Sequence, residues 1–388
     1  MQILPPHIQS TLRTLEDAGH SAYIVGGSVR DLVMGRTPKD WDITTDATPE
    51  VVLGLFPRVI PTGLKHGTVT VLTEGGPVEV TTFRRDGVYT DHRRPDAVSY
   101  VSDLHEDLAR RDFTVNAMAI DRHGTHIDPH RGREDIAKKR IRAVGDPGTR
   151  FREDALRMFR ALRFSAQLGF TIDPETAAAI RANSHLAQNL SAERVRDELE
   201  KILLSPHPER LADVLSSGLL KAYTPVTTAD LTRLQGLPDD RPTRWAAFIV
   251  AIDAPAEILT ALRLDNKTAH TARAAATLAQ TTLPDDDIGR KRLLSQHGAE
   301  VVQCAAAVAA ILGHPDIRPA LQGIINRGDC YALETLAITG DDLSAAGHPP
   351  GPELGALLNR LLDHVIQHPA ANEKAALLEL AKRPKYNT

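Results

Sequence analysis

In the first third of the chain, a segment with apolar residues three and four apart is followed by segments in which apolar and polar residues alternate. Residues 7–19 (HIQSTLRTLEDAG) carry apolar residues three and four apart, which predicts a helix that ends at a glycine. Residues 21–27 (SAYIVGG) predict a short buried strand, and residues 40–44 (DWDIT) alternate as a half-exposed strand does. Residues 67–73 and 77–85 are β-branched, alternate and flank a glycine pair, which predicts a hairpin.

The pattern changes near residue 146. Before it, residues 86–96 (DGVYTDHRRPD) predict a mobile polar loop, and residues 113–121 and 125–129 predict the last strands of the first part. After it, residues 152–170, 174–190 and 191–205 predict successive helices, and the alanine-rich remainder is helix-like to residue 388. The predicted fold class is therefore α+β, with a mixed-sheet head followed by an all-α remainder.

Composition places few limits on this picture. The chain has 388 residues, of which 42% are hydrophobic and 25% charged, as is typical of soluble globular proteins. It contains no apolar run of membrane-spanning length and no signal-peptide pattern at its start. The two cysteines suggest neither a disulfide framework nor a zinc site. We expect a cytoplasmic protein without a membrane partner.

Charge is unevenly distributed. The net charge is −4, but residues 110–163 hold 14 Lys and Arg against 8 Asp and Glu. Such a basic segment can face phosphates while the rest of the chain stays acidic. Aromatic residues make up only 4% of the chain. Any base recognition is therefore expected to use hydrogen bonds from Arg and Asp more than stacking.

Two carboxylates stand on alternate positions of a predicted strand. Asp40 and Asp42 would point to one face, and Trp41 to the other. Close like charges are costly unless a cation lies between them, and Mg²⁺ prefers this oxygen ligation. The pair therefore predicts a metal-dependent phosphoryl-transfer site with Mg²⁺ as cofactor. The alternative is an exposed strand with two solvated aspartates.

A glycine turn precedes this pair. Gly26 and Gly27 follow the strand of residues 21–27 and lead into a short helix, so their amides could approach a phosphate. Arg30 lies in the first turn of that helix and could add a charged contact. Glycine turns are common, and the turn matters mainly because the paired aspartates follow it.

Five ordered motifs carry a family resemblance. GGSVRD with DWD, DLARRDFTVNAMAID, REDALRMFRALRF, SAERVRDELEKILL and the C-terminal LAITGDDLSAAGHPPGPELGALLNRLL resemble those of bacterial class II tRNA nucleotidyltransferases and poly(A) polymerases. The closest likeness is to short, Gram-positive-type CCA-adding enzymes. The resemblance implies a polymerase-β-like head at 1–145, a neck for base recognition at 146–210, and an elongated tRNA-binding body and tail at 211–300 and 301–388.

The third motif suggests how a base could be read. Asp154 and Arg157 are three residues apart and would be neighbours on one helical face. A carboxylate accepts from an exocyclic amine while an arginine donates to the adjacent ring atom, as cytosine and adenine require. Uracil and guanine would place a carbonyl against the carboxylate, at a cost of a few kcal/mol. The alternative is an ordinary ion pair within the helix, but the resemblance assigns these two positions to base selection.

The resemblance implies further contacts to the nucleotide. It places Arg111 against the nucleotide and Asp112 against the ribose, with Asn116 in support. Arg160 and Arg163 continue the helix and could reach the triphosphate or the tRNA end, or could form a solvated basic stripe. Gly27 and Arg30 would cradle the phosphates.

Two further candidates are less well defined by the sequence. Glu79, on a neighbouring predicted strand, is an open candidate for a third carboxylate. His123, His126 and His130 fall across a strand and a turn, so we do not expect them to bind zinc.

The expected activity is addition of C, C and A to the tRNA 3′ end from CTP and ATP. The helical part would hold the acceptor and TΨC arms, and the resemblance suggests a homodimer. Three narrower enzymes of the same family remain alternatives: an A-adding enzyme, a CC-adding enzyme and a poly(A) polymerase. The loop at residues 86–96 argues against the CC-adding enzyme, which typically lacks it. A non-catalytic RNA-binding protein on the same scaffold is less consistent with the paired aspartates.

Overall fold

The computed structural model describes residues 4–87, 98–253 and 256–383. The chain divides into two compact units, Met1–Leu231 with Ala261–Arg263 and Thr232–Thr260 with Leu264–Thr388. In the part of the chain that is described, no helix is both long and apolar enough to cross a membrane.

Among the described residues, the strands all lie in the first unit. They are β1 (Ala22–Val25), β2 (Asp42–Thr45), β3 (Val59–Gly63), β4 (Thr68–Thr73), β5 (Gly76–Thr82), β6 (Arg84–Asp86), β7 (Val98–Tyr100), β8 (Ala119–Ile120), β9 (His126–Ile127), β10 (Arg140–Ile141) and β11 (Thr171–Ile172). Seven of them form one sheet in the order β3-β4-β5-β2-β1-β8-β9, and β6–β7 and β10–β11 form two small sheets. The predicted hairpin is confirmed as the antiparallel pair β4 and β5.

The main sheet is mixed, as predicted. Strand β2 runs parallel to β5 and antiparallel to β1. This register places Asp42 between Val25 on one side and Glu79 on the other. The first residue of β2 therefore lies at the end of the sheet where β1 leads into the glycine turn.

The helices of the first unit cover the sheet and then continue beyond it. They are α1 (Pro6–Asp17), α2 (Gly27–Val33), α3 (Pro49–Leu55), α4 (Leu104–Ala109), α5 (Gly132–Ala137), α6 (Pro147–Glu153), α7 (Leu156–Leu168), α8 (Pro174–Asn183), α9 (Ala192–Leu203) and α10 (Leu211–Ser217). The apolar face of α1, including Ile8, Leu12 and Leu15, packs with β-branched residues of the sheet in one core. Burial of this face, which the sequence spacing predicts, holds the helix on the sheet.

Several predicted elements differ from those observed. The helix predicted across residues 174–190 ends at Asn183 and is followed by a 3₁₀ helix. The helix predicted across residues 152–170 is broken between α6 and α7, because Asp154 adopts an extended conformation with φ −137° and ψ 107°. The strand predicted at residues 113–121 is only Ala119–Ile120, because Thr114–Asn116 forms a 3₁₀ turn. The Asp112 carboxylate accepts from the Phe113 amide and the Asn116 side chain, which curls this segment away from a strand. The loop predicted at residues 86–96 lies largely outside the described residues.

The remainder of the chain is helical in its described part, which confirms the predicted α+β class. The helices are α11 (Arg241–Ala251), α12 (Glu257–Ala261), α13 (Asn266–Ala279), α14 (Asp287–Ile311), α15 (Arg318–Asn326), α16 (Gly340–Ala345), α17 (Pro352–Gln367) and α18 (Lys374–Ala381). Helix α14 contains a break at Gly298, where φ is 76°. Short 3₁₀ helices elsewhere in the chain are Leu64–His66, Ser184–Asn189, Pro208–Arg210, Thr232–Leu234, Leu333–Thr335 and Pro369–Ala371.

Candidate active site

One cleft of about 560 Å³ in the first unit brings together ten of the eleven predicted site residues. They are contributed by α2, β2, the segment after α4, the break before α7, and α7 itself. The ten residues are Gly27, Arg30, Asp42, Arg111, Asp112, Asn116, Asp154, Arg157, Arg160 and Arg163. Asp40, the eleventh, is exposed in the bend that precedes β2.

Carboxylates gather at one end of the cleft. Asp42 begins β2 and lies directly across from Glu79 of β5. Burial raises the pKa of Asp42 to about 6; the negative charges of Glu79 and Asp40 add to the rise, and Arg111 opposes it. Trp41, between the two aspartates, packs against the core of the sheet as predicted. The surroundings of Asp42 therefore disfavour the ionised form of its carboxyl group, as expected where a cation is to bind.

The prediction that both aspartates lie on the strand is wrong in one respect. Strand β2 begins at Asp42, so Asp40 precedes it. The Trp41 carbonyl accepts from the Glu79 amide and starts the ladder. Pro38 has no N–H to donate, and residues 39 and 40 form a bend. Asp40 nevertheless lies near enough for its charge to raise the pKa of Asp42.

The described residues hold no group of three or more His, Cys, Asp or Glu side chains placed to bind a metal by themselves. Asp40 and Asp42 could supply two carboxylate ligands. Mg²⁺ is commonly held by one or two carboxylates together with waters and substrate phosphates, so this donor set fits that ion.

A buried aspartate that the sequence analysis missed holds Arg111 beside this acidic end. Asp107 of α4 is fully buried and accepts from Arg111 at 3.1 Å and from Arg110 at 2.7 Å. Burial raises the pKa of Asp107, but the charges of Arg111 and Arg110 together outweigh it, and the net pKa is lowered. Gly26 has φ 75°, and a Cβ there would lie 3.3 Å from both Arg111 Nη1 and Asp42 Oδ2. A side chain at residue 26 would crowd both groups and would be strained at this φ, so both the contact and the backbone favour glycine.

A chain of hydrogen bonds links the predicted phosphate and ribose residues. Arg30 Nη1 donates to Asn116 Oδ1 at 2.8 Å, and Asn116 Nδ2 donates to Asp112 Oδ1 at 3.4 Å. Arg160 Nε in turn donates to Asp112 Oδ2 at 2.8 Å. Burial raises the pKa of Asp112, but contacts led by the Arg160 charge outweigh it and lower the net pKa. These hydrogen bonds fix the four side chains relative to one another.

Asp154 and Arg157 both line the cleft, but they are not neighbours on one helical face. Asp154 lies in the break before α7, where its Oδ1 accepts from the Leu156 amide at 3.0 Å. Arg157, on α7, donates to Glu153 at 2.7 Å and to the Arg110 carbonyl at 3.1 Å. The ion pair between Asp154 and Arg157, which was the alternative interpretation, is replaced by separate partners for each. Because the backbone of Asp154 is extended, its carboxylate does not share a helical face with Arg157.

Two residues of helix α9 form ion pairs with residues of the cleft. Arg194 Nη2 donates to both carboxylate oxygens of Asp154, at 3.0 and 3.3 Å. Arg163 Nε lies 2.9 Å from Glu198, which is 4% exposed. The alternative of a solvated basic stripe therefore does not hold for Arg163, whose side chain is 12% exposed and ion-paired.

Phe164 lies at the centre of the arginines. The guanidinium carbons of Arg163, Arg160 and Arg30 are 4.3, 5.4 and 5.6 Å from its ring centroid. Phe164 also lines the cleft, with Gln167 and Arg194. Its sequence context gives only an apolar helix position, so nothing local distinguishes it. By contrast, Asp107 stands three and four residues before two arginines, a helical spacing that could have predicted its ion pairs.

Family models match most of the chain. The Poly A polymerase head domain matches residues 22–142, and the RNA- and SrmB-binding site of polymerase A matches residues 169–231. The tRNA nucleotidyltransferase domain 2 matches residues 238–381. The first of these models covers the sheet and much of the cleft.

Individual proteins are similar over nearly the full length. A CCA-adding enzyme of Levilactobacillus brevis is 41% identical over 380 residues, 95% of each chain, and one of Geobacillus kaustophilus is 40% identical over 385 residues, also 95% of each. The crystal structure of the Bacillus stearothermophilus CCA-adding enzyme in complex with CTP is 34% identical, with a TM-score of 0.84 over 99% of this chain and 100% of that one. The chain therefore belongs to the family of CCA-adding enzymes, a tRNA nucleotidyltransferase family with a poly(A)-polymerase-type head.

Proposed function

We propose that the cleft is the active site of a CCA-adding tRNA nucleotidyltransferase. The enzyme adds C, C and A to the tRNA 3′ end from CTP and ATP and releases pyrophosphate. The observation that carries this proposal is that Asp42 and the residues proposed to read the base, Asp154 and Arg157, line the same cleft. Family membership over 95% of the chain supports the activity.

The acidic end of the cleft is proposed to hold a divalent cation, specifically Mg²⁺, on Asp40 and Asp42. Its donor oxygens and the raised pKa of Asp42 fit such an ion. When bound there, the metal would supply charge neutralisation for the triphosphate and favour the ionised form of the attacking 3′-hydroxyl. Glu79 lies in register with Asp42 and is proposed as a third carboxylate of this end.

A second group of cleft residues, Asp154 and Arg157, is proposed to select the base. The carboxylate of Asp154 accepts from the exocyclic amine of cytosine or adenine, and Arg157 donates to the adjacent acceptor. Both side chains are already held by protein partners, so they lose little freedom when a nucleotide binds. A carbonyl in place of the amine would face the carboxylate and be repelled.

The residues linked by the chain of hydrogen bonds are proposed to bind the sugar and phosphates. Gly27 and Arg30 would hold phosphate oxygens, Asp112 would meet the ribose with Asn116 in support, and Arg111 would contact the nucleotide near the acidic end. Arg160 and Arg163 would contribute positive charge to the triphosphate or to the tRNA end. The high density of arginine in the cleft fits a ligand with several negative charges.

The rest of the chain is proposed to bind tRNA. Catalysis would lie in residues 1–145 and base recognition in 146–210, while 211–300 and 301–388 would hold the acceptor and TΨC arms by their backbone. A homodimer and a cytoplasmic location complete the proposal, and light scattering of the purified protein tests the former.

Nucleotide incorporation by single variants tests these assignments. With a tRNA that lacks its terminal CCA, Asp42→Asn should lose incorporation of CMP, whereas Asp154→Ala should retain incorporation and accept UTP more readily. Lys39→Gln, which also removes one charge but at an exposed position next to the aspartates, is the matched control and should behave as wild type. Unimpaired tRNA extension by Asp42→Asn would contradict the assignment of the cleft as the active site.

A further inference from the structure

A second cavity, of about 370 Å³, lies in the first unit and shares no lining residue with the active-site cleft. The apolar part of its lining consists of Leu4, Leu32, Val33 and Ile120. Leu4 and Ile120 belong to the core of the sheet, and Leu32 and Val33, at the end of α2, pack against that core. A cavity of this size and lining is suited to a small organic molecule.

The charged and titratable part of the lining is basic. Arg122, His123, His126 and Arg133 come from the turn after β8, from β9 and from the first turn of α5. His123 and His126 are two of the three histidines that were not expected to bind zinc. No described residue that lines the cavity is an aspartate or a glutamate. An apolar surface bordered by basic groups matches a ligand that is partly apolar and negatively charged.

Arg133 carries the charge that the protein leaves uncompensated. It is exposed, and its side chain makes no hydrogen bond or ion pair with the other described residues. Arg122, by contrast, is paired with Glu16 at 2.5 Å. The guanidinium of Arg133 is therefore available to a ligand.

The acidic residues near Arg133 in the sequence have other partners. Asp128 accepts from the two backbone amides at the start of α5, at 2.6 and 2.9 Å. Glu134 accepts from Lys138 at 2.6 Å, and Asp135 is buried and accepts from two other arginines. A carboxylate of this segment would have to leave its partner to neutralise Arg133.

The cavity also has a direction. An open depression of about 740 Å³ adjoins it and shares Val33, His126 and Arg133 with it. Burial and the charge of Arg133 lower the pKa of His126, so its imidazole is neutral at neutral pH and can donate one hydrogen bond. A ligand whose apolar part fills the cavity would thus place an anionic group beside Arg133 and His126, toward the open depression.

We propose that this cavity binds a small organic molecule that combines an apolar ring or chain with one phosphate or carboxylate group, and that Arg133 and His126 hold the anionic group. The site shares helix α2 with the catalytic cleft, because Gly27 and Arg30 line the cleft and Val33 lines the cavity. The proposal goes beyond the proposed function, since CCA addition does not require this site.

Isothermal titration calorimetry of the full chain with 1-naphthyl phosphate and with 1-naphthoate tests the proposal. CTP and Mg²⁺ are present at saturation, without tRNA, to fill the catalytic cleft. At least one of these probes should bind to a single site at least tenfold more tightly than inorganic phosphate or 1-naphthol, because only the probes use both parts of the lining. The tighter probe identifies the anionic group that the site prefers.

Two variants locate the bound probe. Arg133→Gln should fold, because Arg133 has no partner among the described residues, and should weaken the tighter probe at least tenfold. Arg58→Gln is the matched control: Arg58 is exposed just before β3, at the opposite edge of the same sheet, and this variant should bind within twofold of wild type.

Two results would overturn the proposal: neither probe binds while CTP fills the cleft, or Arg133→Gln binds the tighter probe as wild type does. Neither measurement depends on nucleotide incorporation. A failure of this proposal is therefore distinguishable from a failure of the proposed function.

Discussion

Replacing Asp42 by asparagine should make the metal-free protein more stable at neutral pH. The folded protein raises the pKa of Asp42 from 3.8 to about 6 through burial and the charges of Glu79 and Asp40. The folded state therefore binds more protons than the unfolded state between these two pH values. Stability falls as the pH rises through this window, and the full cost is present above the folded pKa.

The size of the cost follows from the pKa difference. A separation of this size corresponds to about 3 kcal/mol at about 1.4 kcal/mol per pH unit. Asp42 is only partly buried, so solvent screening should reduce the measured value, and we expect about 1–3 kcal/mol. Asparagine keeps the shape and removes the charge. Below about pH 4, where the aspartate is protonated, the two proteins should have nearly equal stability.

Denaturant unfolding with EDTA at pH 4 and pH 7.5, followed by circular dichroism and fluorescence, measures this difference. Asp40→Asn is the control, because Asp40 is exposed and its removal should have a smaller effect. Added Mg²⁺ should stabilise the wild type at pH 7.5 and narrow the gap to Asp42→Asn, since the ion binds the folded state. If Asp42→Asn were equally or less stable than wild type at pH 7.5 in EDTA, the electrostatic interpretation of the acidic end would be wrong.

Other predictions concern the residues around this end. Gly26→Ala should lower nucleotide incorporation at least tenfold, because the added Cβ would displace Asp42 or Arg111. Gly35 also has a positive φ but has open space around it. Gly35→Ala should therefore retain activity and lose only about 1–2 kcal/mol of stability in thermal unfolding. Asp107→Asn should cost about 3–5 kcal/mol in denaturant unfolding, because it removes the fully buried charge that Arg110 and Arg111 both contact. Phe164→Leu keeps an apolar side chain but removes the ring beneath three guanidinium groups, so KM for CTP should rise while the melting temperature changes little.

Local spacing predicted much of the fold from the sequence. The alternation in residues 67–73 and 77–85 depends on neighbouring strand residues, and both strands and their hairpin are confirmed. The glycine turn and the helix after it are likewise local, and α2 begins at Gly27. Such elements are set by backbone preferences that adjacent residues determine.

The elements that differ are those in which distant side chains override local preference. Helical spacing continues through Asp154, but the carboxylate leaves the helix and is held by Arg194 from another helix. The alternation around Asn116 predicts a strand, but the segment forms a turn that a hydrogen bond to Asp112 stabilises. Arg194 was missed as a site residue because its partner Asp154 lies outside its own helix. Phe164 was missed because an apolar position on α7 is typical of a core residue. These two departures from regular structure, at Asp154 and around Asn116, therefore fall within the cleft, where function competes with local propensity.

The product ladder on defined tRNA ends tests the proposed activity most directly. Three tRNAs, ending before CCA, after the first C and after CC, are incubated with the protein and Mg²⁺ plus CTP, ATP or both, and the products are resolved at single-nucleotide length. We predict that each tRNA is extended to a complete CCA end and no further when both nucleotides are present, and that CTP alone stops at CC. Addition of A only to the tRNA that ends in CC, or untemplated tails of A on any end, would contradict CCA addition.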